Sequence, residues 1–157
     1  MRKKILAAIV LTAAAPVSFL ASVPQAHAAP ALLSCSGSTC TGHPAASYTC
    51  VNDAEVIYSV NIVNGSTVVG NIQLRYSPSC RATWARVISN LGDGSSAKII
   101  SSDTAIPFQG CNGIGGAGTG CNTNMVDDAG LTSHAEGTVS TTAGESGAHA
   151  SASTPSF

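Results

Sequence analysis

Six cysteines are the residues best able to do chemistry in this chain: Cys35, Cys40, Cys50, Cys80, Cys111 and Cys121. Thiols can ligate a metal, exchange electrons or cross-link the chain, and spacing separates these uses. A structural zinc site wants paired C-x2-4-C and H-x3-5-H spacings. Cys40-x2-His43 is only a fragment of that pattern, so no metal is expected. No C-x-x-C occurs, which removes the thioredoxin-type redox motif. An even count of cysteines behind an export leader reads as three structural disulfides. Cys111 and Cys121 flank the glycine-rich segment CNGIGGAGTGC and should pair. If Cys50 opens a first strand and Cys80 a third, they stand two strand spacings apart, roughly 9.5 Å. That exceeds the reach of a disulfide, about 7 Å between Cα atoms. Cys50–Cys80, and with it Cys35–Cys40, is therefore disfavoured. The favoured set is Cys40–Cys50 with Cys35–Cys80, and the alternative is Cys35–Cys50 with Cys40–Cys80.

Other catalytic constellations are sparse. Asp127-Asp128 is the only adjacent carboxylate pair. Neighbours in a strand point to opposite faces, so the two would not act together, and a turn or a solvated pair is the simpler reading. His43, His134 and His149 lie in polar sequence. No G-x-S-x-G elbow accompanies them. The segment GIGGAGTG lacks the Gly-Lys-Ser/Thr ending of a phosphate loop. No catalytic residue and no cofactor is assigned. The densest group of large functional side chains is Arg75, Tyr76, Arg81, Trp84 and Arg86. Arg75, Arg81 and Trp84 are the candidate binding residues, the arginines acting as fork donors to an anionic or sugar-containing ligand. The competing and favoured reading makes Trp84, Tyr58 and Tyr76 core and leaves the arginines solvated. A chain poor in aromatics has few other large residues with which to fill a core. In either case Arg75 and Arg81 are expected on the face opposite Trp84.

The elements that must position these residues follow from the ends inward. Arg2, Lys3 and Lys4 precede an apolar run, Ile5 to Ala15, and Ala26-His27-Ala28 is an A-x-A cleavage signal. This is the anatomy of a secretory leader, residues 1–28. The run is shorter than the ~20 residues a spanning helix needs. The expected product is residues 29–157, secreted, with no stable membrane insertion. Arg75, Arg81, Arg86 and Lys98 are then its only Lys and Arg, against eight Asp and Glu, a formal charge of −4. Such a balance excludes non-specific nucleic-acid binding, which needs phosphate-neutralising cations.

Residues 29–52 read as an extended, cysteine-tethered arm in which Gly37, Gly42 and Pro44 break any helix. AEVIYSVNIV and TVVGNIQLRY alternate apolar residues at period two around Asn64-Gly65, which predicts a hairpin. A three-residue loop pairing 62 with 68 and 58 with 72 puts both apolar sets on one face, although Gly70 could host a bulge that resets this register. CRATWARVIS reads as a third strand, with Arg86 an unwelcome member of the Trp84 face and a short helix capped by Ser77 with Pro78 at N1 as the rival reading, and AKIIS as a fourth strand. The expected fold is mainly β: a small disulfide-stapled antiparallel meander of about four to six strands, as a sheet or small barrel. The β domain spans 53–137 and includes the glycine-rich loop. A polar low-complexity tail, 138–157, follows it, largely disordered, with HASASTPSF a candidate edge strand.

SCSGSTCTGHPAASYTC, QLRYSPSCRATWARV and MVDDAGLTSHAEG together resemble secreted actinobacterial proteins of the domain of unknown function 2690 family. The matching segments run from about Cys35 to Gly137, and the L-R-Y-S-P-x-C-x-x-x-W-A run is the most specific. His43-Pro44 departs from the family, where an acidic residue before Pro is commoner. The resemblance implies an exported single domain and no established activity. The residues favour a non-enzymatic binding or envelope-associated module acting on an extracellular or cell-envelope partner. A small secreted hydrolase or inhibitor-like effector is the alternative. Oligomeric state is left open.

Overall fold

The computed structural model describes residues 31–91, 94–113, 117–141 and 148–157. The expected leader lies outside them. No helix among the described residues is long and apolar enough to cross a membrane.

The architecture is mainly β, two antiparallel sheets facing each other without closing into a barrel. The described residues form nine strands: β1 Glu55–Asn64, β2 Thr67–Ser77, β3 Ala82–Ser89, β4 Ser95–Ser101, β5 Phe108–Gly113, β6 Gly120–Asn122, β7 Val126–Asp127, β8 Ser133–Ser140 and β9 His149–Ser153. The first sheet runs β1-β2-β3-β6, with β7 also on β3, and the second runs β5-β4-β8-β9. Only three consecutive strands form the meander. β4, expected beside β3, instead opens the second sheet. The reason is burial: β3 offers Ala85 and Val87 on one side, β4 offers Ala97 and Ile99, and all four are buried in one core. Stacking the strands face to face covers both apolar sets, whereas a single open sheet would leave them wet.

The core between the sheets is aliphatic. Ile62, Ile72, Leu74, Val87, Ile99 and Val139 are its fully buried large members, alongside Val126 and several alanines. Close approach of the layers needs Gly137 on β8. A Cβ there would sit 2.8 Å from the Cβ of Ile72.

The β1–β2 hairpin forms with a tighter loop than expected. Asn64 pairs with Thr67, and Gly65 takes a positive φ of 61°. Val63 pairs with Val68 but Ile62 with Gly70, so Val69 is an extra residue that shifts the register. Val60 then faces Ile72 and Tyr58 faces Leu74. The shift from the expected pairing is two residues, so the apolar sets still share a face.

The boundary drawn at 137/138 falls inside β8, and β9 pairs along β8 from Glu136↔Ser153 to Ser140↔His149. The polar tail therefore includes two paired segments, the end of β8 and the whole of β9. Their outward residues are Ser, Thr and His, and their inward residues are Val139 and Ala150. Alternation with very small apolar side chains hides this pattern in the composition.

Candidate functional site

The arm is three short 3-10 helices, Gly37–Cys40, Ala45–Ser47 and Thr49–Val51. It folds over the outer face of the first sheet. Backbone bonds hold it on one side: Gly42 N–H donates to Met125 O at 3.0 Å and Met125 N–H to His43 O at 2.9 Å. On the other side Asp53 clasps the β2–β3 turn. Its carboxylate accepts the Ser77 hydroxyl at 2.6 Å and the Ser79 amide at 2.8 Å. The Ser77 bond is the main cause that holds the Asp53 carboxyl below the usual Asp range, partial burial opposing it and the Ser79 bonds assisting.

The disulfides are Cys35–Cys40, Cys50–Cys80 and Cys111–Cys121. The third is as expected and links β5 of one sheet to β6 of the other. The first two correct the expected pairing. Cys50 does not open β1; it lies in the last 3-10 helix, upstream of Glu55, and Cys80 lies in the turn before β3. The two-strand separation applies to residues inside strands, and neither cysteine is inside one. The arm's return brings their Cα atoms to 5.5 Å. The sulfurs of Cys35, Cys40, Cys50 and Cys80 all lie within 4.8 Å of one another. Distance alone therefore does not select among pairings. The four constitute the one metal-compatible cluster among the described residues. As disulfides they offer no thiolate, which is the species zinc binds.

Under the arm is a second core: Cys40, Ala45, Cys50, Cys80, Ala82, Trp84 and Met125. Trp84, 2% exposed, is its largest member. This corrects the expected placement of the arginines. Arg75 on β2 is the direct cross-strand partner of Trp84 on β3. Directly paired residues share a face, so Arg75 lies on the Trp84 side. The expectation put Trp84 in one core with Tyr58 and Tyr76, but Trp84 points outward into a core that the arm supplies. Arg86, two residues on, shares this face. Arg81 does not join them. It is exposed in the turn with a positive φ of 51°, and its N–H donates to Ser77 O at 2.8 Å.

Arm and sheet leave a cleft of about 300 Å³ between them. Arg75, Trp84, Arg86, Asn122 and Thr123 form its floor, while Pro44, Ala45, Ala46, Val51 and Ala54 form the arm side. Among the described residues, no carboxylate lies within 4.0 Å of either guanidinium. The Nε of Arg75 is buried without a hydrogen-bond partner. Burial, and then repulsion from Arg86, pushes the Arg75 guanidinium below its ordinary value. Two half-buried cations held together without a counter-charge form a site whose electrostatics favour an anion. A second hollow of about 310 Å³ lies on the outer face of the other sheet and carries one charge of each sign, Lys98 and Glu136.

The remaining titratable groups stay apart. Asp128 accepts the Ser133 hydroxyl at 3.1 Å, and Ser133 in turn meets Thr83 at 2.8 Å across the two sheets. Burial pushes Asp128 up to about 6, the Ser133 bond opposing and Asp127 assisting. Asp128 is thus an inter-sheet group where a turn or a solvated pair was expected. Asp127 turns to its own loop, accepting from the Ala129 amide at 2.8 Å. His43 lies against Tyr48, with ring centroids 5.3 Å apart. His134 is 3.7 Å from Glu136, and His149 is on β9.

Sequence reasoning placed Arg86 on the Trp84 face without naming it a binding residue, and it missed Asn122. The signal for Arg86 was its period-two spacing from Trp84. Nothing local marks Asn122, which reaches Arg86 through the pairing of β3 with β6.

The protein of unknown function family DUF2690 matches residues 38–136. The chain belongs to that family. The matched span includes most of the arm, the cleft and both sheets through Glu136 of β8. No match was found among curated proteins or among solved structures.

Proposed function

We propose that this member of DUF2690 is an exported, non-enzymatic binding module that recognises an anionic extracellular or cell-envelope component in the cleft beneath its arm. The observation that carries the reading is the pair Arg75 and Arg86, both half-buried, side by side and without a carboxylate partner among the described residues. A fold that needed these charges only for solubility would leave them in water, since burying an unpaired charge is costly. Export is supported by the leader-like residues 1–28 and by three disulfides, which belong in oxidising compartments. The hydrolase alternative has less support. Asp127, Asp128 and the three histidines do not converge, and neither hollow is lined by any of them.

The test is capture from envelope fractions by the immobilised oxidised protein. Wild type and Arg81→Gln should retain the same component, and Arg86→Gln should lose it. Equal retention by all three would remove the cleft from the account.

A further inference from the structure

We infer that the ligand of the cleft is the carboxyl terminus of a peptide whose last residues carry small apolar side chains. This rests on the anion-binding reading above and narrows it.

Three features of the cleft select this class. The first is its charge. Arg75 and Arg86 line the same cleft and repel each other, and a guanidinium fork matches a carboxylate or a phosphate bidentately. An anion seated between them also relieves the repulsion of one guanidinium by the other. The second is the opposite wall. Pro44, Ala46, Val51 and Ala54 offer methyl and methylene surface and no charge. A bare inorganic anion would leave that wall against water, whereas a ligand with a short alkyl body covers it. The third is Asn122. It is the cross-strand partner of Arg86, and its carboxamide offers both a donor and an acceptor. A peptide group next to a terminal carboxylate needs both. Thr123 is already committed, since its hydroxyl accepts from the Ala85 amide at 3.0 Å and donates to Asn124 O at 2.8 Å.

Size limits the class further. About 300 Å³ is at the lower end of small-molecule sites. The roof is fixed by Cys50–Cys80, so the cleft does not widen without bending a cross-linked arm. Large terminal side chains are therefore excluded, and alanine-sized ones fit. The hollow on the other sheet offers no such match, because Glu136 beside Lys98 would repel a carboxylate.

Calorimetric titration of the oxidised protein with four probes tests this: N-acetyl-Ala-Ala, its C-terminal amide, N-acetyl-Ala-Trp and inorganic phosphate. The free acid should bind at least tenfold more tightly than the amide and than the tryptophan peptide. Arg86→Gln should weaken the free acid at least tenfold, with Arg81→Gln unchanged as the control. Equal binding of acid and amide would overturn the inference. Binding of phosphate without the peptide acid would also overturn it while leaving the anion site standing. Binding of none of the four would remove both.

Discussion

Ile72 and Trp84 stand on adjacent strands of one sheet and point to opposite sides of it, into cores made by different means. Ile72 enters the space between the sheets, where branched aliphatic residues from both layers fill a continuous interior. Trp84 enters a compartment closed by the arm, whose other members are mostly cysteines and alanines. The first core carries one cross-link, Cys111–Cys121 at its edge, while strands on both sides bring most of its apolar surface. The second has only Trp84 and Met125 as large buried side chains, and a short irregular arm cannot bury enough on its own to offset its ordering entropy. Two disulfides supply what burial does not. The candidate binding cleft lies in the second compartment, where the arm covers the sheet incompletely.

The comparison breaks most severely at Trp84. Trp84→Ala should cost about 3–5 kcal/mol in denaturant unfolding, the usual range for removing a large buried aromatic. Met125 is the one other large side chain fully buried in the outer compartment, and it cannot fill the volume of an indole. A loss below 1 kcal/mol would mean that the arm is not packed on the sheet.

Removing the Cys50–Cys80 link should come next. With a sequence separation of 30 between the cysteines, Cys50→Ala with Cys80→Ala should cost about 3–4 kcal/mol by loop entropy. Limited proteolysis of that variant should cut first within residues 36–50 and leave the sheets intact. Cleavage starting in β4 or β8 would show that the two compartments are not separable.

How much of this was legible in the sequence follows the same division. Period-two alternation revealed β1, β2 and β3, because each strand buries one face. It also revealed that Tyr58 and Ile72 share a side. It could not reveal that β4 crosses to a second sheet, since alternation fixes faces within a strand and not which layer a strand joins. β9 was anticipated as the edge strand in HASASTPSF, but β8 was hidden because its buried residues, Ala135, Gly137 and Val139, are nearly as small as the polar residues between them. The arm defeated the disulfide reasoning because its path depends on Asp53, Met125 and Gly42 bonds that no periodicity encodes. Arg75 and Trp84 could be singled out as types, but their sharing a face could be deduced only once a second core was admitted.

The smallest expected effect tests the seam between the sheets. Asp128 titrates near 6 in the folded protein against an ordinary value of 3.8. The folded state therefore holds its proton more tightly than the unfolded state. The corresponding stability is present at low pH and is lost as pH rises from about 4 to about 6. Asp128→Asn keeps an acceptor for Ser133 without the charge. It should flatten that pH dependence and raise stability at pH 7 by on the order of 1 kcal/mol, allowing for solvent screening of a half-exposed group. Asp53 acts in the opposite sense, its contribution being present above the ordinary Asp value and lost as the medium becomes more acidic than that. An unchanged pH profile in Asp128→Asn would place the carboxyl in water and not between the sheets.

Trp84 is the chain's single tryptophan and lies on the cleft floor beside both arginines, so its fluorescence reads occupancy of the site directly. Titration of the oxidised protein with N-acetyl-Ala-Ala should change that emission saturably. The change should weaken as salt is raised and be lost in Arg86→Gln, while Arg81→Gln keeps it. Emission that stays flat in the wild type, or that responds equally in Arg86→Gln, would contradict the claim that the paired arginines beneath the arm are the protein's binding site.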